Sequence, residues 1–199
     1  ATGGVGATSV MALASRGNFL HAPDTYMDKI ACGPGARGSI DIEAPPEVNI
    51  RNVAKALGKD VSDMTVVILN RPRHADVIAA TRKTGARIHL IGDGDVSAAV
   101  ATGQVDSGID LLLGIGGAPE GVISAAALTC MGGDFQGRLK FRSDEERARA
   151  EKMGMKSLDR ALRLEDLCKG DVMFVATGVT SGPLLKGVRF LPGHRATTH

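Results

Sequence analysis

Two arginines separated by one residue could form a phosphate site in the segment Arg71-Pro-Arg73, where the proline stiffens the loop. Guanidinium matches a phosphate group well, because it can donate two parallel hydrogen bonds to it. The same arginines could instead be solvated residues at the start of a helix. Cations oppose the helix dipole at that position, which mildly favours an anion nearby. Both interpretations remain open from the residues alone.

Two carboxylates with a glycine between them, Asp93-Gly-Asp95, follow an apolar segment and precede a helical one. They could accept hydrogen bonds from sugar hydroxyls or lie in the outer shell of a metal ion. The alternative is a turn in which Asp95 caps the following helix, since aspartate is a favoured N-cap residue.

A glycine-rich loop, Gly114-Ile-Gly-Gly-Ala-Pro-Glu120, is a third candidate site. Its glycines allow the backbone to approach a ligand closely and to present N–H groups to it. Glu120 could complement the dipole of a helix that starts at Pro119, or it could be a ligand for Mg²⁺ or Mn²⁺. The loop matches neither a Walker motif nor a dinucleotide-binding fingerprint.

Alternating apolar and amphipathic segments predict the elements that position these loops. We expect strands at 7–13, 39–42, 64–69, 87–91, 109–115, 172–176 and 187–191, and helices at 47–57, 73–84, 96–101, 118–131 and 143–153. This order predicts an α/β fold, with a layered, mostly parallel sheet and flanking helices. Ligands bind beyond the carboxyl ends of such strands, so the three loops and the segment 177–183 should converge on one rim.

The composition excludes several classes of protein. The chain has 199 residues, of which 43% are hydrophobic and 23% are charged, so it is neither disordered nor fibrous. No apolar run is long enough to span a membrane. A net charge of +2 and an aromatic content of 3% give no basic surface and no stacking platform for nucleic acid. We therefore expect a small-molecule ligand, with no nucleic-acid and no membrane partner.

The cysteines and histidines carry no motif of their own. Cys32, Cys130 and Cys168 are an odd number without a Cys-x-x-Cys pair, which argues against a disulfide framework and favours a cytoplasmic location. We expect all three cysteines to fill the core, and His74 and His89 to be structural, because neither has the spacing of a zinc site. Without repeats or a long linker, residues 1–199 are predicted to form a single domain.

These loops, together with two further segments, resemble the class II (GlpX-type) fructose-1,6-bisphosphatases over nearly the whole chain. Five blocks that occur in order carry the resemblance: Tyr26-Met-Asp-Lys-Ile-Ala-Cys-Gly-Pro34, Arg71-Pro-Arg-His74, Gly92-Asp-Gly-Asp-Val96, Gly114-Ile-Gly-Gly-Ala-Pro-Glu-Gly121, and Ala176-Thr-Gly-Val-Thr180 with Leu184-Leu-Lys-Gly-Val-Arg189. The resemblance implies the lithium-sensitive sugar and inositol phosphatase fold. It also implies hydrolysis of the 1-phosphate of fructose 1,6-bisphosphate, a step of gluconeogenesis, with Mn²⁺ or Mg²⁺ as cofactor.

The resemblance also implies roles for individual residues. Substrate would be bound by residues of four segments, namely Tyr26, Arg71, Pro72, Arg73, Asp93, Gly94, Asp95 and Gly117. Glu120 would be a metal ligand.

The sequence departs from the family pattern in three places. The family's main metal motif, Asp-Pro-Leu/Ile-Asp/Glu-Gly-Thr, is absent, and by family spacing it would end shortly before Ala1. We therefore expect the carboxyl-side, substrate-binding portion of a longer sugar phosphatase. Asn70 and Ser181 stand where the resemblance implies aspartate, so each removes a negative charge near the predicted rim.

Two other functions remain as alternatives to the bisphosphatase. One is hydrolysis of sedoheptulose 1,7-bisphosphate by the same loops. The other is a non-catalytic sugar-phosphate-binding module, if the natural chain is this short. Both ends look like cuts through a longer protein, and together with the apolar loops this favours assembly, so we also expect a homo-oligomer.

Overall fold

The computed structural model describes residues 5–198. Within these residues there are nine strands: β1 (Thr8–Ala14), β2 (Tyr26–Cys32), β3 (Thr65–Leu69), β4 (Arg87–Ile91), β5 (Leu111–Gly117), β6 (Asp134–Lys140), β7 (Val172–Gly178), β8 (Arg189–Leu191) and β9 (Arg195–Thr197). Six α-helices accompany them: α1 (Pro46–Leu57), α2 (Ala75–Thr84), α3 (Asp95–Thr102), α4 (Ala118–Met131), α5 (Asp144–Lys152) and α6 (Leu164–Leu167). A short 3-10 helix, Pro72–His74, precedes α2.

The central sheet has five strands in the order β4-β3-β5-β2-β6. β3 is parallel to both β4 and β5, whereas β2 is antiparallel to both β5 and β6. β2 alone therefore runs against the other four strands. The predicted α/β class with a mostly parallel sheet and flanking helices is confirmed in this mixed form.

Each face of the sheet has its own hydrophobic core. On one face, side chains of β3 and β5 such as Ile68 and Leu113 pack against Ile50 and Val53 of α1. On the other face, residues of β2, β5 and β6 pack against α3, α4 and α6, and Phe135 of β6 is fully buried there. Apolar side chains on both faces of one strand explain why β3 reads as a continuous apolar run.

β1 and β7 form a separate antiparallel ribbon, which packs against α4. The strand predicted at 7–13 is therefore found, and it is only partly buried. Met11 and Leu13 are about half exposed, with relative exposures of 52% and 47%. The alternation along β1 arises because only one face of a two-stranded ribbon can lie on a helix.

Other predicted elements differ from the structure in informative ways. The segment 39–42 is not a strand; Ile40 is instead buried in the core beside α1. β2 and β6 were missed, although both belong to the five-stranded sheet, β2 as an interior strand and β6 at one edge. Cys32 and Cys168 are buried as expected, whereas Cys130 is exposed, so the prediction that it fills the core is wrong. Cys130 lies near the end of α4, where its thiol donates a 3.5 Å hydrogen bond to the carbonyl of Val172. None of the three cysteines forms a disulfide.

Candidate functional site

The candidate loops meet at the edge of the sheet where β3, β4 and β5 end. β2 begins at the same edge because it is antiparallel to β5, and Tyr26 at its start is the register partner of Gly117 at the end of β5. The backbone N–H of Ala118 donates to the carbonyl of Thr25 at 2.8 Å, which fixes this corner. The predicted rim therefore exists, and an unpredicted strand brings Tyr26 to it.

Two arginines lie against the ring of Tyr26. The guanidinium carbon of Arg73 is 5.0 Å from the ring centre, and that of Arg142 is 4.8 Å away. Such cation–π contacts hold guanidinium groups in place without using up all of their N–H donors. Arg142 follows β6, so the aromatic ring links the loop after β3 to the loop after β6.

Arg142 is also tied to a buried carboxylate. Its side chain and its backbone N–H both donate to Glu146, which additionally accepts a 2.7 Å hydrogen bond from the Thr25 hydroxyl. The hydrogen bonds from the Arg142 side chain and backbone and from Thr25 together lower the pKa of Glu146 to about 2. Glu146 is therefore ionised at neutral pH and fixes the position of Arg142.

The loop after β3 holds the end of β5 through the backbone N–H and carbonyl of one residue, Ile115. Arg73 donates to the carbonyl of Ile115 from Nε and Nη2, at 3.2 and 3.0 Å. The Nε2 of His74 accepts a 2.7 Å hydrogen bond from the N–H of the same residue. The hydrogen-bonded pairing of β3 with β5 extends only to Val67 and Leu112. The hydrogen bonds of Arg73 and His74 to Ile115, which we call the His74 clamp, therefore join the ends of the two strands.

His74 supports the site as a neutral imidazole. It is fully buried, and Nε2 can accept a hydrogen bond only when it carries no proton. Burial, followed by the charge of the neighbouring Arg73, lowers the pKa of His74 below its usual range. Its Nδ1 is buried and has no hydrogen-bond partner among residues 5–198. The expectation of a structural role is consistent with this arrangement.

Asp95 is held by a lysine that sequence analysis did not single out. Asp95 is the first residue of α3, and its N-cap is Gly94, so the interpretation of Asp95 as the N-cap is wrong. Its Oδ2 lies 2.6 Å from Nζ of Lys29 in β2. Gly94 has a φ of +89°, a conformation that favours glycine, and this turn directs the Asp95 side chain toward the sheet.

Glu120 lies in the first turn of α4 and folds back on the glycine loop. A Cβ built on Gly117 would be about 1.9 Å from Oε2 of Glu120, so any larger residue at position 117 would displace this carboxylate. Glu120 is exposed at the rim. Its place in the first turn also suits the helix dipole, as the alternative interpretation required.

The remaining predicted residues lie on the rim without direct contact with this cluster. Arg71 and Pro72 are exposed, and the guanidinium of Arg71 donates to the carbonyl of Asn70 at 3.2 Å. Asp93 is exposed and accepts a 2.9 Å hydrogen bond from the N–H of Gly94. These side chains have room to turn toward a ligand.

The loop after β7 reaches the same edge through the ribbon. Thr8 is the register partner of Gly178, and its hydroxyl lies 3.1 Å from the hydroxyl of Ser97 in α3.

Asn70 is exposed at the end of β3, next to Ile91. Ser181 accepts a 3.0 Å hydrogen bond from the N–H of Gly187, so its hydroxyl has a local structural role.

The described residues do not complete a metal site. Within residues 5–198, no three His, Cys, Asp or Glu side chains gather in an arrangement that could hold a metal ion. Mg²⁺ and similar hard cations take about six oxygen ligands, and Glu120 offers one carboxylate. A metal ion bound by Glu120 would therefore need further ligands from outside the described residues.

A family model described as bacterial fructose-1,6-bisphosphatase, glpX-encoded, matches residues 1–199. The chain belongs to this family. The family resemblance inferred from the loops is thereby confirmed, and the loops that carry it are those that the fold brings to the rim.

Relatives in two groups of bacteria show how much of the family protein is present. The chain is 44% identical over 210 residues to a Synechococcus (strain JA-3-3Ab) protein named D-fructose 1,6-bisphosphatase class 2/sedoheptulose 1,7-bisphosphatase. It is 46% identical over 212 residues to the fructose-1,6-bisphosphatase 1 class 2 of Escherichia coli K12. These alignments cover 99% and 100% of this chain but only 60% and 62% of the relatives. The chain thus spans about three fifths of the length of these relatives.

Lys29, His74 and Arg142 are the site residues that sequence reasoning missed or underrated. Lys29 and His74 lie inside two of the blocks that resemble the family, but no element was predicted around Lys29, and His74 was expected to have only a structural role. Arg142 had a weak signal, because it directly precedes the predicted helix N-cap Ser143. Only their contacts with Asp95, Ile115 and Tyr26 reveal what they do.

Proposed function

We propose that the full-length protein hydrolyses the 1-phosphate of fructose 1,6-bisphosphate, and that this chain supplies most of the substrate-binding surface. The observation that carries the proposal is the position of Arg73, which is held between Tyr26 and Ile115 beside the Gly117–Glu120 loop. A guanidinium fixed there is suited to a phosphate, and the glycine backbone next to it allows close approach. Family membership supports the same assignment.

The proposed roles follow the geometry of the rim. Arg71 and Arg73, with Pro72 between them, bind a phosphate, and Tyr26 orients Arg73 through its ring. Asp93, Gly94 and Asp95 bind sugar hydroxyls at the start of α3. Gly117 approaches the substrate through its backbone, and the fixed charges position the substrate without reorganising when it binds.

Glu120 is proposed as one ligand of the catalytic Mn²⁺ or Mg²⁺. Its carboxylate is exposed at the rim, beside the glycine backbone that would meet the substrate. When bound, such a metal would activate water and neutralise phosphate charge. The described part of this chain supplies too few ligands to hold the metal alone.

Sedoheptulose 1,7-bisphosphate is a second candidate substrate. The observation in its favour is the name of the Synechococcus relative, which includes both activities. Because the same rim would bind either sugar, competition between the two substrates at one site is expected.

Three broader features are also proposed for the full-length protein. The layers of α1 and α2, the central sheet, α3 and α4, and the β1–β7 ribbon are consistent with the lithium-sensitive phosphatase fold, and we propose that residues 1–199 form a single domain within it. Homo-oligomerisation and a cytoplasmic location are proposed as well. No helix in residues 5–198 has the length and apolarity needed to cross a bilayer.

The experiment that tests the function measures phosphate release from fructose 1,6-bisphosphate by the full-length protein as Mn²⁺ is varied. Even loss of an outer-shell partner weakens metal binding about 10- to 100-fold, so Glu120→Gln should raise the Mn²⁺ needed for half-maximal rate at least about 10-fold. Glu47→Gln, in the first turn of α1, is the matched control and should leave the Mn²⁺ dependence unchanged. An unchanged dependence in Glu120→Gln would remove Glu120 from the metal site. Absence of phosphate release by the wild-type protein would refute the function itself.

A further inference from the structure

Lys29 is a fully enclosed cation directly beneath the candidate substrate rim. It lies in β2, an interior strand of the sheet, and its side chain is only 2% exposed. Lysine is almost never buried without a partner, because desolvation of the ammonium group is costly. In the described part of the chain, Asp95 is the one carboxylate within ion-pair distance of Lys29.

The backbone around Lys29 is built to accommodate this pair. Lys29 lies opposite Gly114 of β5 and Gly137 of β6 in the sheet register. A Cβ on Gly116 would be about 2.1 Å from Oδ2 of Asp95 and about 2.9 Å from Nζ of Lys29. Glycine at position 116 therefore leaves the space that the ion pair fills, directly before Gly117.

The two oxygens of the Asp95 carboxylate have different surroundings. Oδ2 accepts the 2.6 Å hydrogen bond from Nζ, whereas Oδ1 has no hydrogen-bond donor among residues 5–198. The Asp95 side chain is 16% exposed, so this second oxygen is accessible to a ligand, but the ammonium group of Lys29 is not.

We propose that Lys29 is a positioning residue for the substrate: it fixes the Asp95 carboxylate in one orientation and balances its charge, so that Oδ1 can accept a hydrogen bond from a sugar hydroxyl. This inference rests on the proposed function, because it assigns a task to Asp95 in sugar binding. Charge balance matters here, since an unpaired carboxylate would repel the phosphates of a bisphosphate substrate. Lys29 acts only through Asp95 and does not itself contact the substrate.

The test compares three variants of the full-length protein: Lys29→Met, Asp95→Asn and the double variant. Each single change should raise the KM for fructose 1,6-bisphosphate about 10- to 100-fold, the value of a hydrogen bond to a charged group, with a smaller effect on kcat. The double variant should bind no more weakly than Asp95→Asn alone, because the two residues act as one unit. Lys29→Arg, which keeps the charge, should recover part of the loss.

Stability measurements separate positioning from a purely structural role. Lys29→Met leaves a buried carboxylate unpaired and should lower the melting temperature, whereas the double variant removes both charges and should recover much of it. The KM of the double variant should nevertheless remain raised. Lys59→Met is the matched control: Lys59 forms a 2.6 Å pair with Asp110 before the start of β5, away from the rim, and its loss should leave KM unchanged.

Two results would overturn the inference. One is a KM of Lys29→Met that equals that of the wild type. The other is a KM of the double variant that is raised by the product of the two single fold-changes. If Lys29→Met does not fold, the comparison of Asp95→Asn with the double variant decides, since a further rise in KM contradicts action through Asp95. Calorimetric affinity for fructose 1,6-bisphosphate repeats the comparison without turnover. If affinity follows the expected pattern but no phosphate is released, only the proposed function fails.

Discussion

Tyr26 illustrates at the scale of single residues how the rim is organised. Its ring contacts the guanidinium groups of both Arg73 and Arg142, and Glu146 in turn fixes Arg142. Because one aromatic ring contacts both guanidinium groups, their positions are set before any ligand arrives. Residue types alone indicated that Arg73 could bind phosphate, but no sequence pattern indicated that Arg142 contacts the same ring.

Replacement of Arg73 should weaken substrate binding more than turnover. Arg73→Ala removes a charged donor of the proposed phosphate site, so the KM of the full-length enzyme for fructose 1,6-bisphosphate should rise about 10- to 100-fold. Arg87→Ala is the control, because Arg87 also donates to a backbone carbonyl, that of Asp63, but lies at the opposite end of the sheet. Equal KM values in the two variants would argue against the phosphate site.

At the scale of elements, the loop between β3 and α2 is held to β5 by Arg73 and His74. A helix was predicted to begin at residue 73, but α2 begins at Ala75, directly after the short 3-10 helix Pro72–His74. Its junction with β5 was not predictable, because a hydrogen bond between residues 41 positions apart leaves no local pattern. The clamp makes the relative position of the Arg73 and Glu120 loops depend on a neutral imidazole.

We expect the His74 clamp to make stability fall at acidic pH. The pKa of His74 is lowered in the folded protein by burial and then by Arg73, with smaller contributions from Arg71 and Lys140. The unfolded chain, with a histidine pKa of about 6.5, therefore takes up the proton first as pH falls. The stabilisation is present above about pH 6.5 and is lost toward the folded-state pKa, at up to about 1.4 kcal/mol per pH unit.

Denaturant unfolding of the wild type and of His74→Gln between about pH 7.5 and pH 5 measures this dependence. Glutamine can accept the N–H of Ile115 but does not titrate, so the variant should lose less free energy of unfolding on acidification. His89→Gln, at an exposed position of β4, controls for loss of an imidazole. If the free energy of unfolding of His74→Gln depended on pH as strongly as that of the wild type, the neutral His74 would not be the cause of the acid sensitivity.

At the scale of the whole molecule, substrate-binding and metal-binding groups are unevenly distributed. Three arginines, Arg71, Arg73 and Arg142, lie on the described rim. Of the carboxylates on this rim, only Glu120 is proposed as a metal ligand. The curated relatives are longer than this chain by about two fifths of their own length. We therefore expect binding and catalysis to separate when the 199 residues are studied alone.

The isolated 199-residue chain should bind fructose 6-phosphate without releasing phosphate from fructose 1,6-bisphosphate. Calorimetry measures the binding, and a phosphate assay with Mn²⁺ measures the turnover, on material whose intact mass is confirmed. Arg73→Ala in the same chain should abolish the binding signal. Efficient phosphate release by a chain of verified mass would show that this portion has a complete metal site after all.

The family, the α/β class and the loops that form the rim could all be predicted from the amino-acid sequence. These depend on local signals: apolar runs for β3 and β5, and glycine, proline and charged residues at strand ends. The tertiary structure alone decided that β2 and β6 lie in the central sheet, because Asp28, Lys29 and Gln136 break the apolar pattern of those strands. It also decided which charges pair. Lys29 meets Asp95 and His74 meets Ile115 only after strands distant in sequence are aligned, and no residue pattern encodes those distances.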